Sequence, residues 1–198
     1  AEHLERGGEP ARAAVWYRRA AEQAFEGNDM EAALARADRG LRCAAQDPAD
    51  PSEVLVGELQ LIHAKATRWL GKNQEAEQGA IEAMHRLPLG GARWCEAAAE
   101  VILLCGKLGH VDRLLATTDA LLTLPAAAPE ADASYAIALA RAVTLVSVAR
   151  IRAAGFEMLW SGPRRVVRAA RGSTLEIEAE VRNRDTLAAR YVKLRAVA

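Results

Sequence analysis

Residues 71–88, GKNQEAEQGAIEAMHRLP, decide the fold. A glycine opens the stretch, small residues follow at Ala76, Ala80 and Ala83, and Pro88 ends it. A helix turns by about 100° per residue, so spacings of four and three put the three alanines on one side. An ordinary core helix uses leucines there, and a membrane helix would not carry so many polar groups. Methyl-sized side chains let a neighbouring helix cross closely, and the proline then fixes the exit. Ala33, Ala37 and Gly40 repeat the pattern within residues 28–41. Ala33, Ala76 and Leu114 hold corresponding places, 43 and 38 residues apart. A period in this range marks an array of helical pairs, in which no pair buries its apolar face alone and each stacks on the next.

The rest of the chain follows that rhythm. Residues 1–6 read as a helix end closed by Gly7-Gly8, and Pro10 suits the first turn of a new helix, where its missing N–H costs nothing. That helix runs to about residue 26, with Val15, Trp16, Ala20 and Ala24, and the neighbouring Tyr17 and Ala21, as a broad apolar face. Asp29 is placed to cap residues 30–45. Residues 46–52 read as a loop; helices are expected over 53–70, 74–86, 91–108, 111–124 and 131–154, with 126–130 as a loop. Beyond residue 172, Leu175, Ile177, Ala179 and Val181 alternate with Glu176, Glu178, Glu180 and Arg182, a period-2 signal that could return through residues 183–185 into 189–197. A short β-hairpin and a helix stand as equal alternatives there. The expected organisation is helical repeats over 1–125, a further long helix within 126–160, and an atypical basic segment over 161–198.

Composition supports an all-α reading: the hydrophobic fraction of 51% is rich in alanine, the best helix former, and aromatics are 5%. Lys+Arg and Asp+Glu both number 26, which excludes a nucleic-acid binder that works by bulk attraction. The balance is uneven, since residues 150–198 hold eleven Lys/Arg against five Asp/Glu. Cys43, Cys95 and Cys105 have no CxxC spacing and read as buried free thiols of a reducing cytoplasm. The longest apolar runs, 101–105 and 136–140, are too short to span a bilayer. The chain opens inside a helical pattern, as if cut from something larger.

In its spacing the chain resembles the tetratricopeptide repeat family, whose second helix sets small residues four and three apart with proline five further on. Ala76, Ala80, Ala83 and Pro88 fit, as do Ala33, Ala37 and Gly40. The first helices match more loosely, through Tyr17, Ala20, Ala21 and Ala24, then Gln60, His63, Ala64 and Thr67, then Ala98, Val101, Ile102 and Cys105; Leu114, Thr118 and Leu121 make the third second-helix degenerate. Residues 1–125 are similar to the start of the helical arm in large bacterial serine/threonine kinases and STAND-type ATPase regulators. The resemblance implies an α-hairpin solenoid, a tetratricopeptide-like superhelix, with enzyme chemistry upstream of this chain.

No catalytic constellation is found. The glycines around Lys72 and Lys107 lack the spacing and the following Ser/Thr of a phosphate-binding loop, and the protein-kinase signatures are missing. His3, His63, His85 and His110 are scattered and read as structural; the carboxylate pairs Glu75/Glu77 and Glu96/Glu100 read as solvated helix faces. No cofactor and no metal is expected. The resemblance places first helices along a concave groove, which makes Arg18, Arg19, Glu22, Lys65, Arg68, Trp69, Glu96 and Glu100 the candidate partner-binding residues. The expected function is a non-catalytic, cytoplasmic interaction arm that binds a protein, a peptide or its own upstream enzyme. Nucleic acid and membrane are not expected partners. The alternative is a DNA-binding regulator using Arg164, Arg165, Arg168 and Arg171.

Overall fold

The computed structural model describes residues 1–46, 52–124, 131–153, 156–159, 174–183 and 189–197. Eight helices come first among these: α1 (Glu2–Arg6), α2 (Pro10–Glu26), α3 (Met30–Ala45), α4 (Glu53–Trp69), α5 (Asn73–Arg86), α6 (Ala92–Leu108), α7 (Val111–Leu122) and α8 (Asp132–Ala153). Their ends have local causes. Pro10 sits in the first turn of α2. The Asp29 carboxylate accepts from the Ala32 N–H at 3.0 Å and caps α3. Gly71 and Gly109 take left-handed backbone angles, φ 84° and 79°, which let the chain reverse between α4 and α5 and between α6 and α7.

The helices pack in order. α2 lies along α3 and α4 along α5, and each second helix also meets the next first helix, α3 on α4 and α5 on α6. The small residues occupy these contacts: Ala33, Ala37, Ala76, Ala80 and Ala83 are wholly buried. Gly40 carries the same constraint further, because a Cβ there would lie 2.6 Å from Leu59 Cδ2 of α4. At Gly79 a Cβ would stand 3.3 Å from the Cβ of Ala64. Both helices of a pair thus contribute backbone-close surfaces, and dispersion contacts between them take the place of large side chains.

The third pair departs from the pattern. Its inward positions hold Leu114 and Leu121, both buried, and α7 meets α6 less extensively than α3 meets α2. α8 then lies chiefly along α6 and only secondarily along α7. Gly106 makes room for it: a Cβ there would fall 2.7 Å from Leu145 Cδ2. Tyr135, Ala138, Leu139 and Ala142 of α8 join α6 in the largest core cluster.

Several expectations are corrected. The buried face of α2 is Ala13, Ala14, Tyr17, Ala21 and Ala24, with Val15 and Trp16 exposed. Tyr17 turns the helix this way, since its hydroxyl donates to Glu5 at 2.6 Å and its ring lies under the Arg39 guanidinium. The long helix of the 126–160 segment ends at Ala153, and Phe156–Leu159 is a strand, β1. β1 pairs antiparallel with β2 (Thr174–Asn183), which pairs antiparallel with β3 (Ala189–Val197), Ile177 opposite Leu194. Of the two alternatives for this region, the described backbone takes the extended one. Asp132–Arg150 of α8 is long and apolar enough to cross a membrane, unlike the shorter apolar runs noted in the sequence. Here it lies on α6, and Arg141 midway along it donates to the Ala99 carbonyl at 3.0 Å. Arg164, Arg165, Arg168 and Arg171, and most of the 46–52 and 126–130 loops, lie outside the described residues.

Enlarging a seam position should therefore be costly. Ala80→Leu is expected to destabilise the chain by about 1–3 kcal/mol through overpacking, whereas Gln78→Ala on the exposed side of the same helix should stay within about 0.5 kcal/mol. Urea unfolding midpoints of the two variants check this.

Candidate interaction surface

The candidate residues come from three first helices, and the packing gathers most of them into ion pairs. Arg18 and Glu22, one turn apart on α2, pair at 2.8 Å, and Arg18 Nε also reaches Glu58 of α4 at 3.2 Å. Lys65 of α4 pairs with Glu96 of α6 at 3.2 Å, and Arg68 pairs with Glu100. Arg93 of α6 bonds Glu96 at 3.3 Å and also reaches Glu22 of α2. Arg141 of α8 meets Glu100 at 3.1 Å. Six of the eight candidates therefore neutralise one another, or Glu58, Arg93 and Arg141, across α2, α4, α6 and α8.

Burial decides what these pairs are worth. Glu100 is only 4% exposed and is held between two guanidiniums, so neither charge is left bare. The Arg12–Glu9 pair elsewhere on α2 is solvent-exposed and contributes little. Arg19 and Trp69 stand outside the ribbon. Arg19 lies over the Trp16 ring at 5.0 Å, and Trp69, 59% exposed, carries the Arg68 guanidinium at 5.1 Å from its ring centre. These are half-open aromatic faces with a cation already stacked on them.

Glu77 and Glu100 are not on solvated faces, contrary to the sequence reading; both are buried, Glu77 against α6 and α7 and Glu100 between Arg68 of α4 and Arg141 of α8. Glu77 is 1% exposed and accepts from His110 Nδ1 at 2.9 Å, Arg113 at 2.9 Å and the Cys105 thiol at 3.2 Å. Burial pushes its carboxyl up, but the three donors together outweigh burial and hold it below the usual glutamate value. The cluster joins α5 to α6 and α7. Cys105 is driven the other way, to about 12, by burial first and by the Glu77 hydrogen bond second. Burial also raises Cys43 and Cys95, so all three free thiols stay protonated and unreactive. Sequence reasoning missed the Glu77 cluster, yet a signal was present: Glu77, Ile81 and Met84 form one helical row whose other members are apolar.

Among the described residues, no group of three or more His, Cys, Asp and Glu is placed to hold a metal ion. A shallow cleft at the α4–α5 turn is lined by Gly71, Lys72, Asn73, Gln74, Glu75 and Leu108, with Lys72 turned to Glu75 at 3.7 Å. Comparison with protein-family models, curated proteins and solved structures finds no match to this chain.

The lowered Glu77 value gives a pH signature. Its contribution to stability is fully present above the ordinary glutamate pKa of 4.5 and is lost as pH falls through the lower folded value. Glu77→Gln should cost about 1–3 kcal/mol at pH 7. The gap between variant and wild type should close in acid, as read from urea midpoints at neutral pH and well below 4.5. A gap that is unchanged in acid would contradict the ionised form of this cluster.

Proposed function

We propose that this chain is a non-catalytic protein-interaction arm, a tetratricopeptide-like α-hairpin solenoid, belonging to a larger bacterial signalling protein with a serine/threonine kinase or STAND-type ATPase region upstream. The observation that carries the reading is the buried run of small residues between successive helical pairs, at Ala33, Ala37 and Gly40 and again at Ala76, Ala80 and Ala83. Such an array holds its helices by neighbour contacts alone and presents long faces for recognition. Burial keeps Cys43, Cys95 and Cys105 protonated, so on this reading the three thiols pack the arm and do not act as nucleophiles. Buried free cysteines also suit a cytoplasmic setting.

The ion-pair ribbon modifies how a groove of this kind works. A charged partner meets Arg18, Glu22, Lys65, Arg68, Glu96 and Glu100 already engaged, and must exchange those pairs for its own. Arg19 and Trp69 are held only by stacking contacts, which cost less to give up than the ion pairs, so on this reading they anchor the partner first. Selection of peptides from a displayed random library against the whole chain tests the proposal. Enriched peptides should bind the Trp69→Ala and Arg19→Glu variants about tenfold more weakly, with both variants as stable as wild type. Failure to enrich any peptide, or binding by both variants as tight as by wild type, would count against a groove built from these residues.

A further inference from the structure

The seam between helical pairs continues past the point where it is filled. On α3 the row Met30, Leu34 and Leu41 is half-buried, and Leu34 packs against the cluster of Ala24 of α2, Ala33 of its own helix and Ala66 of α4. On α5 the corresponding places are Asn73, Glu77 and Met84; Glu77 is buried and Met84 packs against the core cluster that contains α6. On α7 they are Val111, Leu115 and Leu122, exposed by 43%, 41% and 55%. All three fall within about 40° around the helix, and the buried Leu114, Thr117 and Leu121 occupy a different arc. The cause is that α8 lies chiefly along α6, so the row that α4 and α6 cover on earlier pairs is left open on α7.

Charge says what fits it. Asp112 and Asp119 lie about two turns apart along one flank of the row, at about 80–100°. Both are exposed, and neither has an ion-pair partner among the described residues. The other charge on α7, Arg113, is turned to the buried Glu77. A second copy of α7 packed antiparallel through this row would set these aspartates against its own, and like charges so placed are repulsive; a parallel copy would bring them only its opposite flank, which carries no lysine or arginine. We propose that Val111, Leu115 and Leu122 form a docking site for an amphipathic helix of a partner protein, with lysines or arginines beside its apolar stripe. The partner helix continues the packing that α4 and α6 provide on α3 and α5, and its cations meet Asp112 and Asp119. The proposal rests on the reading of the chain as an interaction arm but uses a different face from Arg19 and Trp69.

The test uses the full chain and two synthetic, fluorescein-labelled helical peptides with leucines at i, i+3, i+4 and i+7. One carries lysine at the remaining positions and the other glutamate. Fluorescence anisotropy should show the lysine peptide binding about tenfold more tightly than the glutamate peptide. The Leu115→Ser/Leu122→Ser double variant should weaken it about tenfold or more. Asp112→Lys/Asp119→Lys should reverse the preference between peptides, each variant first matched to wild type in unfolding midpoint. Trp69→Ala should leave this binding unchanged, which separates the site from the groove. No binding of the lysine peptide, equal binding of both peptides, an unaffected leucine variant, or self-association abolished by that variant would overturn the proposal.

Discussion

Between α4 and α5, and between α5 and α6, the available space is set by side chains no larger than a methyl group. Ala64, Ala76, Ala80 and Ala83 have no accessible surface, and at Gly79 an added Cβ would stand 3.3 Å from that of Ala64, closer than ordinary van der Waals contact. A helix that approaches this closely gains many weak dispersion contacts along its whole length instead of a few from large side chains. The geometry follows from that choice. Each helix must run beside its neighbour over several turns, so connections shrink to glycine-bearing reversals at Gly71 and Gly109. Where the small residues give way to Leu114 and Leu121, the pairing loosens and α8 settles on α6.

Close approach of backbones also brings polar groups together, and the structure satisfies them in two places. Glu77 sits under α6 and α7 with three donors, and Glu100 sits between Arg68 and Arg141. A buried carboxylate adds little net stability compared with a well-packed apolar residue, but it is costly to leave unpaired. Both therefore act more as constraints on register, fixing which turn of one helix faces which turn of the next, than as sources of stability. The ribbon from Glu58 through Arg18, Glu22, Arg93 and Glu96 to Lys65 extends the same logic across three helices.

Helix positions were legible almost to the residue, because proline, glycine and Asp29 punctuate them by local chemistry that needs no tertiary context. The buried small residues were legible too, through spacing alone. Facing was less so. Trp16 looked inward by size, yet Tyr17 won because it could satisfy its hydroxyl on Glu5, a contact between residues on separate helices. The candidate charges lie on the first helices, but their mutual pairing depends on Arg93 of α6 reaching Glu22 of α2, a contact between distant parts of the chain that no local pattern encodes. Glu77 and Glu100 looked solvated because a helix shows its own faces in sequence but not what is laid over them.

Residue-by-residue thiol accessibility tests the central constraint most directly. Cysteine placed at Ala80, and separately at Gln78, in the folded chain is alkylated and mapped by mass spectrometry. The account predicts that the thiol at position 78 reacts at a free-peptide rate. The thiol at position 80 should react only as fast as the chain opens. Equal, rapid modification at both positions would show that the alanine row faces water and that the helices are not held together across it.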